Sequence, residues 1–513
     1  MLAAVRSAAV LGIDAYDVTV EVDAAPGLPQ FSVVGMPAGS VRESRERVSA
    51  ALVNSGFVLP PRRLTVNLAP ADVRKEGTAF DLPIALGLLA ATGQLDADAL
   101  ANLVVVGELG LDGSVRAVRG ALSVARRVAA SDATRILVLP PTNVHEAALV
   151  ATARLSIPNT LRELVAELRG IGSPTIAAPT SHVADMDTET PDFSDVAGQL
   201  TAKRALEVAA AGAHNVLLIG PPGAGKTMLA RRLPGILPDL SEEERLEATA
   251  IHSVAGLLHD GALASRPFRA PHHSVSVAGL VGGGGSPRPG EVSLAHHGVL
   301  FLDELLEFPR HVLDALRQPL EDGRIVVSRA SGTVRFPARF TLVGAMNPCP
   351  CGYAGEPTRA CVCAAADVAR YRARLSGPLA DRIDMHVSVA SVDVRTLGGP
   401  VAGESSTIVR HRVERARAIQ RRRYAPLSRV TCNAHAAGRW LDARTPIDGA
   451  ARALLHAAAE RLSLSARGYH KVLKVARTIA DLDDLATVGE AQIAEALGYR
   501  PSTPRTPPDS FRA

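Results

Sequence analysis

The sequence predicts a multidomain α/β protein with an α+β block first, a parallel-sheet α/β core in the middle and a helical block last. Three observations predict it. At about 150 residues per domain, 513 residues suggest roughly three domains. Strand-like and helix-like periods alternate over 1–168 and again over 193–394, whereas 395–500 is Ala-, Arg- and Leu-rich with helical spacing, as in AARALLHAAAERLSLS. Between the first two blocks, 169–192 is rich in Pro, Gly, Thr and Asp without apolar period, which reads as a linker. The end, 501–513, reads as a disordered tail. Apolar residues make 47% and charged residues 21%, which excludes a disordered chain as a whole.

In the first block, TVEVD and RLTVNLA read as strands, and SVRESRERVSAALVNSG as an amphipathic helix capped by Ser40 and closed by Gly56. The apolar stretch Leu82–Leu95 is shorter than the roughly 18 residues a membrane span needs. The N-terminus lacks a cleavage signal and continues as a strand. Five cysteines, an odd number, argue for a reducing cytosol, so the expected location is cytoplasmic with no membrane partner.

Charge and composition limit the nucleic-acid classes. A net charge of +4 leaves no global basic field, so any DNA surface must be local. Aromatic residues make only 3%, which argues against a base-stacking platform. Only Lys75, Lys203, Lys226, Lys471 and Lys474 are lysines among 56 basic residues, so the arginines mean less individually and each lysine more. Lys75 is expected to be a surface charge.

The middle block carries the chemistry. In VLLIGPPGAGKTMLARRL, the residues Gly220, Pro221, Pro222, Gly223, Ala224, Gly225, Lys226 and Thr227 have G-x-x-x-x-G-K-T spacing after an apolar run and before a helical pattern. Glycines there let backbone N–H groups converge on phosphate, and the helix N-terminus adds a favourable dipole. Lys226 would neutralise the β- and γ-phosphates of ATP, and Thr227 would ligate Mg²⁺. GVLFLDELLEF adds a buried strand, Val299–Leu302, ending in Asp303 and Glu304. Asp303 would organise Mg²⁺, and Glu304 would polarise the attacking water. FTLVGAMNP ends a further strand at Asn347, placed to hold that water or the γ-phosphate, or else merely opening the turn before Pro348.

GQLTAKRALEVAAAGAHNVLLIGPPGAGKT, PLEDGRIVVSRASGTVRFPARFTLVGAMNPCPCG, SGPLADRIDMHV and SARGYHKVLKVARTIADL resemble the YifB/ComM family of Mg-chelatase-like AAA+ ATPases. The resemblance implies a homo-hexameric ring with ATP at subunit interfaces, Arg382 as a trans-acting arginine finger and Arg467 as the sensor-2 arginine of a C-terminal helical lid. It also implies a DNA helicase that promotes branch migration during integration of transformed DNA. From the residues alone, Arg382 could instead pair with Asp381 or Asp384, and Arg467 could be a solvated helix arginine. VRKEGTAFDLPIALGLLAATG and VVGELGLDGSVRAVRGALSVARR resemble the Lon-protease or ribosomal-protein-S5-like fold. The Lon Ser–Lys dyad falls on Ala79 and near Leu122, neither of which can do that chemistry, so proteolysis is not expected. A metallochelatase motor subunit and a protein-remodelling machine are the competing functions.

RIVVSRASGTVRF reads as a β-hairpin around Ala330-Ser331-Gly332. Arg324, Arg329 and Arg335 give it charge suited to sequence-independent phosphate tracking on DNA, or to a solvated edge. Gly282–Gly285 suggest a mobile loop in the preceding insert. His272, His273, His296 and His297 are not expected to bind metal, because adjacent histidines do not face one centre on regular structure. Cys349, Cys351, Cys361 and Cys363 form C-x-C-x9-C-x-C, which suits a structural Zn²⁺ or a free-thiol cluster. Cys432 stands apart as a simple thiol.

Overall fold

The computed structural model describes residues 1–171, 176–177, 191–258, 261–284, 287–329, 332–357, 359–392, 403–427, 430–436 and 438–501. Most of the expected linker, nearly all of the expected tail, the hairpin tip Ala330-Ser331 and Gly285 lie outside the described residues. So does the side chain of Arg329.

The N-terminal part is a mixed eight-stranded sheet. Its order is Ile176–Ala177, Arg154–Ser156, Ile136–Val138, Leu103–Val105, Leu2–Leu11, Asp14–Ala25, Arg63–Ala69, Gln30–Val34. Val18, Val20 and Val22 are buried on one face of the second strand in chain order, as the alternation of TVEVD requires. The apolar run 82–95 supplies the helix Asp81–Ala91, buried along its whole length. A Cβ on Gly87 of this helix would come within 2.6 Å of Val22 Cγ2, so the helix lies unusually close to the sheet.

Two local expectations fail here. Ser40 does not cap a single long helix. It sits inside a short turn, Gly39–Arg42, followed by a separate helix, Ser44–Asn54, and its hydroxyl accepts from Gly77 N at 3.2 Å. Lys75 is not a surface charge. It is 0% exposed, because its loop is tied down by a hydrogen bond from its N–H to Met36 O and one from Ala38 N to its carbonyl. Burial lowers the pKa of its amine, which has no hydrogen-bond partner.

The middle part is a five-stranded, all-parallel sheet in the order Phe268–Arg269, Val299–Leu302, Thr341–Met346, Val216–Ile219, Met385–Ser388. The runs VLLI and VLFL form strands over those same residues. Ile219 pairs with Met346, and Leu302 with Gly344. Gly220, Asp303 and Asn347 therefore leave neighbouring strands at the same carboxyl edge, where open α/β sheets hold ligands.

Helices Ser406–Tyr424, Gly449–Arg461, Ala466–Leu482 and Glu490–Gly498 follow. Val409, Val413, Val472 and Ile479 share one apolar cluster with Val216, Leu229 and Leu233, so these helices and the parallel sheet have a continuous core. No helix among the described residues is long and apolar enough to cross a membrane.

The N-terminal part meets the middle part beside Gly12 and beside Gly120. A Cβ on Gly12, in the turn between the first two strands, would lie 2.9 Å from Val334 Cγ1 of the hairpin. Gly120 N donates to Ser253 O at 3.3 Å, at the end of helix Glu242–Ala255. Beside it the Ser253 hydroxyl donates to Glu146, whose buried carboxyl also accepts from Asn143 Nδ2 at 2.5 Å. Burial raises the pKa of Glu146, against the pull of those two bonds.

Candidate active site

The phosphate loop follows Ile219 and closes at Gly225, which is left-handed (φ 85°) and starts the helix Lys226–Ile236. Gly220 has no room for a side chain, since a Cβ would lie 2.1 Å from Val389 O. The Lys226 amine donates to Gly220 O at 2.7 Å, Pro221 O at 2.9 Å and Asn347 Oδ1 at 3.1 Å. Burial lowers its pKa, opposed by the charges of Asp303 and Glu304. The Thr227 hydroxyl donates to Asp303 Oδ2 at 2.7 Å, so a hydroxyl and a carboxylate suited to one hard cation stand side by side. Glu304 is left-handed (φ 49°), and its N–H donates to Asp303 Oδ1 at 3.0 Å. That turn projects its carboxylate into the open, with His273 Nδ1 at 3.9 Å.

These residues line one cavity of about 600 Å³, formed by the loop Pro222–Thr227 with Asp303, Glu304 and Asn347. Glu307, Met228 and Tyr371 also line it. Tyr371 comes from helix Ala365–Arg372, remote in sequence from any phosphate-binding signal. The sequence carries no short-range cue for it.

Arg382 and Arg467 do not line this cavity. The Arg382 guanidinium donates to Glu321 and to Pro378 O at 2.7 Å, so its ion pair is with Glu321 and with neither Asp381 nor Asp384. Asp384 instead accepts from Asn215 N at 3.0 Å. Arg467 is exposed in the first turn of Ala466–Leu482. In the hairpin, Arg324–Arg329 pairs antiparallel with Gly332–Pro337. Ile325, Val334 and Phe336 are buried, while Arg324 and Arg335 are exposed on the opposite face.

The premise for dismissing the histidines fails at one pair. His297 is left-handed (φ 58°), and this turns both His296 and His297 onto Glu247 Oε2, at 3.2 and 2.9 Å. Glu247, His296 and His297 thus bring three possible ligand atoms within 4.8 Å of one another. The Arg339 N–H donates to His296 Nδ1 at 2.9 Å, so the neutral ring carries its proton on Nε2, the nitrogen that faces Glu247. Hydrogen bonds from His296 and His297 lower the pKa of Glu247, and burial lowers His296 to about 4.

The four cysteines do converge. Cys349 Sγ lies 3.4 Å from Cys351 Sγ and 3.6 Å from Cys361 Sγ, and Cys351 and Cys361 are 3.6 Å apart. Cys351 N donates to Cys363 Sγ at 3.4 Å, and all four sulfurs lie within 4.8 Å of one another. Backbone N–H groups of Tyr353 and Val362 hold the Cys351 thiol down to about 6. Cys432 is buried and accepts from Arg417, away from this group.

A parallel sheet with a phosphate loop, an Asp-Glu strand end and an Asn strand end at one edge defines a P-loop nucleotide-binding core. The family described as "Magnesium chelatase, subunit ChlI" matches residues 192–397. "Subunit ChlI of Mg-chelatase" matches 20–143, and "Magnesium chelatase, subunit ChlI C-terminal" matches 403–500. The chain is 45% identical over 505 residues to competence protein ComM of Haemophilus influenzae, covering 97% of both chains. It is 44% identical over 507 residues to YifB of Escherichia coli, again 97% of each. The 38 kDa magnesium-chelatase subunit of Rhodobacter capsulatus is 32% identical over 177 residues, which is 30% of this chain and 50% of that one. The chain belongs to the ComM/YifB family of Mg-chelatase-like proteins.

Proposed function

We propose that this protein is an ATP-hydrolysing motor that assembles as a hexameric ring and translocates on branched DNA, driving branch migration. The observation that supports hydrolysis most directly is the meeting of Lys226, the Thr227–Asp303 pair, Glu304 and Asn347 on one cavity. Lys226 holds the phosphates, and Thr227 and Asp303 hold Mg²⁺. When bound, Mg²⁺ neutralises charge on the β- and γ-phosphates. Glu304 accepts the proton of the attacking water, and Asn347 orients that water. Arg382 exchanges Glu321 for the phosphate of a neighbouring subunit, which makes hydrolysis conditional on assembly. Arg467 completes the site from the C-terminal helices, which act as the lid. The N-terminal part is a Lon-like module without protease activity, consistent with Ala79 and the buried Leu122 at the dyad positions.

The DNA reading is supported by similarity over 97% of the chain to a protein named for competence, whereas the Rhodobacter capsulatus chelatase subunit matches 30% of the chain. The exposed Arg324 and Arg335 add a local cationic face. The four cysteines are proposed to hold a structural zinc. Zn–S bonds of about 2.3 Å in a tetrahedron put sulfurs about 3.8 Å apart, near the spacing seen here.

The deciding experiment is ATPase and unwinding assays on a four-way junction. Stimulation by forked DNA with junction unwinding is expected. Stimulation only by a tetrapyrrole and its protein carrier would make the protein a chelatase motor.

A further inference from the structure

We infer that the four-cysteine loop is a metal-dependent strut for the nucleotide site, so that zinc occupancy and nucleotide affinity are linked. The inference rests on the ATPase and zinc readings above and says what the metal does for the motor.

The loop begins at the site itself. Asn347 accepts from Lys226, and Cys349, 0% exposed, follows two residues later. The chain then turns back, with Gly352 N donating to Cys349 O at 3.0 Å. Gly352 is left-handed (φ 88°) and lies against the phosphate loop. A Cβ there would come within 2.6 Å of Pro222 Cδ and 2.9 Å of Pro222 Cγ, and 3.9 Å from Asn347 Cγ. Gly352 is thus wedged between the phosphate loop and the Asn347 strand end. Only a glycine suits that conformation and that space.

The other two cysteines anchor the far wall. Cys361 and Cys363 lead into helix Ala365–Arg372, which contributes Tyr371 to the cavity. None of its residues is fully buried, so the apolar core holds it weakly. Arg372 Nε donates to Pro348 O at 3.1 Å, a polar tie that returns to the same cysteine loop. Four thiolates on one ion would do here what a core does elsewhere. They would lock the Gly352 wedge and the Tyr371 wall as one body. Without the ion, both limbs lose the cross-link that sets their distance, and the phosphate loop loses its backing at Pro222.

Linkage makes the claim reciprocal: if zinc strengthens nucleotide binding, nucleotide must strengthen zinc binding by the same factor. The test uses the full-length, reduced, zinc-loaded protein and a chromophoric zinc chelator, with and without saturating ADP. ADP is expected to raise zinc affinity at least about fivefold, and ADP affinity should fall by the same factor when zinc is withdrawn. Gly352→Ala is expected to retain zinc yet bind ADP at least about fivefold more weakly. Lys226→Ala, at an ADP concentration too low to fill its weakened site, should show no effect of ADP on zinc. The Gly352→Ala arm is measured on zinc-loaded protein and so does not depend on a folded metal-free state. If ADP binds but leaves zinc affinity unchanged, or if the reduced protein takes up no zinc, the strut is overturned. If the zinc-loaded protein binds no nucleotide at all, the ATPase reading falls instead.

Discussion

Lys226 and Glu304 should fail in different ways when mutated, and the structure sets the size of the difference. The Lys226 amine is half-buried and makes three short hydrogen bonds at the floor of the cavity. Phosphate oxygens would replace some of those acceptors, in charge-assisted bonds worth about 1.5–3 kcal/mol each. Lys226→Ala removes that charge where water cannot easily substitute for it. A loss of about 3 kcal/mol corresponds to roughly a hundredfold weaker binding. Glu304 is different. Its side chain is 63% exposed, and its carboxylate has only His273, at 3.9 Å, as an ion-pair partner among the described residues. Glu304→Gln therefore breaks no strong ground-state contact and should change affinity less than about threefold. It removes the proton acceptor, which should slow hydrolysis by about 10²–10⁴-fold. The assay is equilibrium binding of a fluorescent ATP analogue with Mg²⁺, paired with phosphate release under saturating ATP. Binding by Lys226→Ala within threefold of the parent, or normal turnover by Glu304→Gln, would refute the site assignment.

Arg382→Ala should bind nucleotide normally and lose hydrolysis. Mixing it with Glu304→Gln should recover activity, since one class of interface then has both groups intact; verified mixed rings without recovery would count against a trans role. Arg329→Ala with Arg335→Ala should keep basal ATPase and ring formation but lose junction unwinding and most DNA stimulation at a fixed salt concentration, and normal unwinding would place the DNA grip elsewhere. Glu146→Gln addresses the contact between the N-terminal and middle parts. Burial raises the folded pKa of Glu146 above its unfolded value, so the folded state retains a proton that the unfolded state gives up as pH rises from about 4.5 towards the folded value. Stability is therefore lost as pH rises through that window. Glu146→Gln, which keeps an acceptor for Ser253 and Asn143, should raise the melting temperature at pH 8 and leave it unchanged at pH 4; an equal shift at both would exclude titration as the cause.

The parts legible in the sequence are those written in consecutive residues. VLLI and VLFL became strands over those same residues because short, wholly apolar runs must be covered on both faces. RLTVNLA became Arg63–Ala69 through its alternation, and the apolar run after Phe80 became a buried helix. The phosphate loop needs only glycines that accept left-handed backbone and a lysine at fixed offset. Tertiary structure decided what depends on residues far apart in the chain. Arg382 met Glu321, from 61 residues away, and not its own neighbours. Lys75 was covered by a loop tied to Met36 and Ala38. His296 and His297 reached one carboxylate because His297 took a left-handed backbone, which no periodicity announces. Tyr371 came to line the cavity, and Gly352 to lie against Pro222, only through the return of the cysteine loop onto the phosphate loop. The physical division is one of range. Periodicity, caps and loop glycines act over a few residues and can be read in order, whereas ion pairing, burial of a charge and closure of a cavity require a partner whose distance is set only when the sheets and helices have packed.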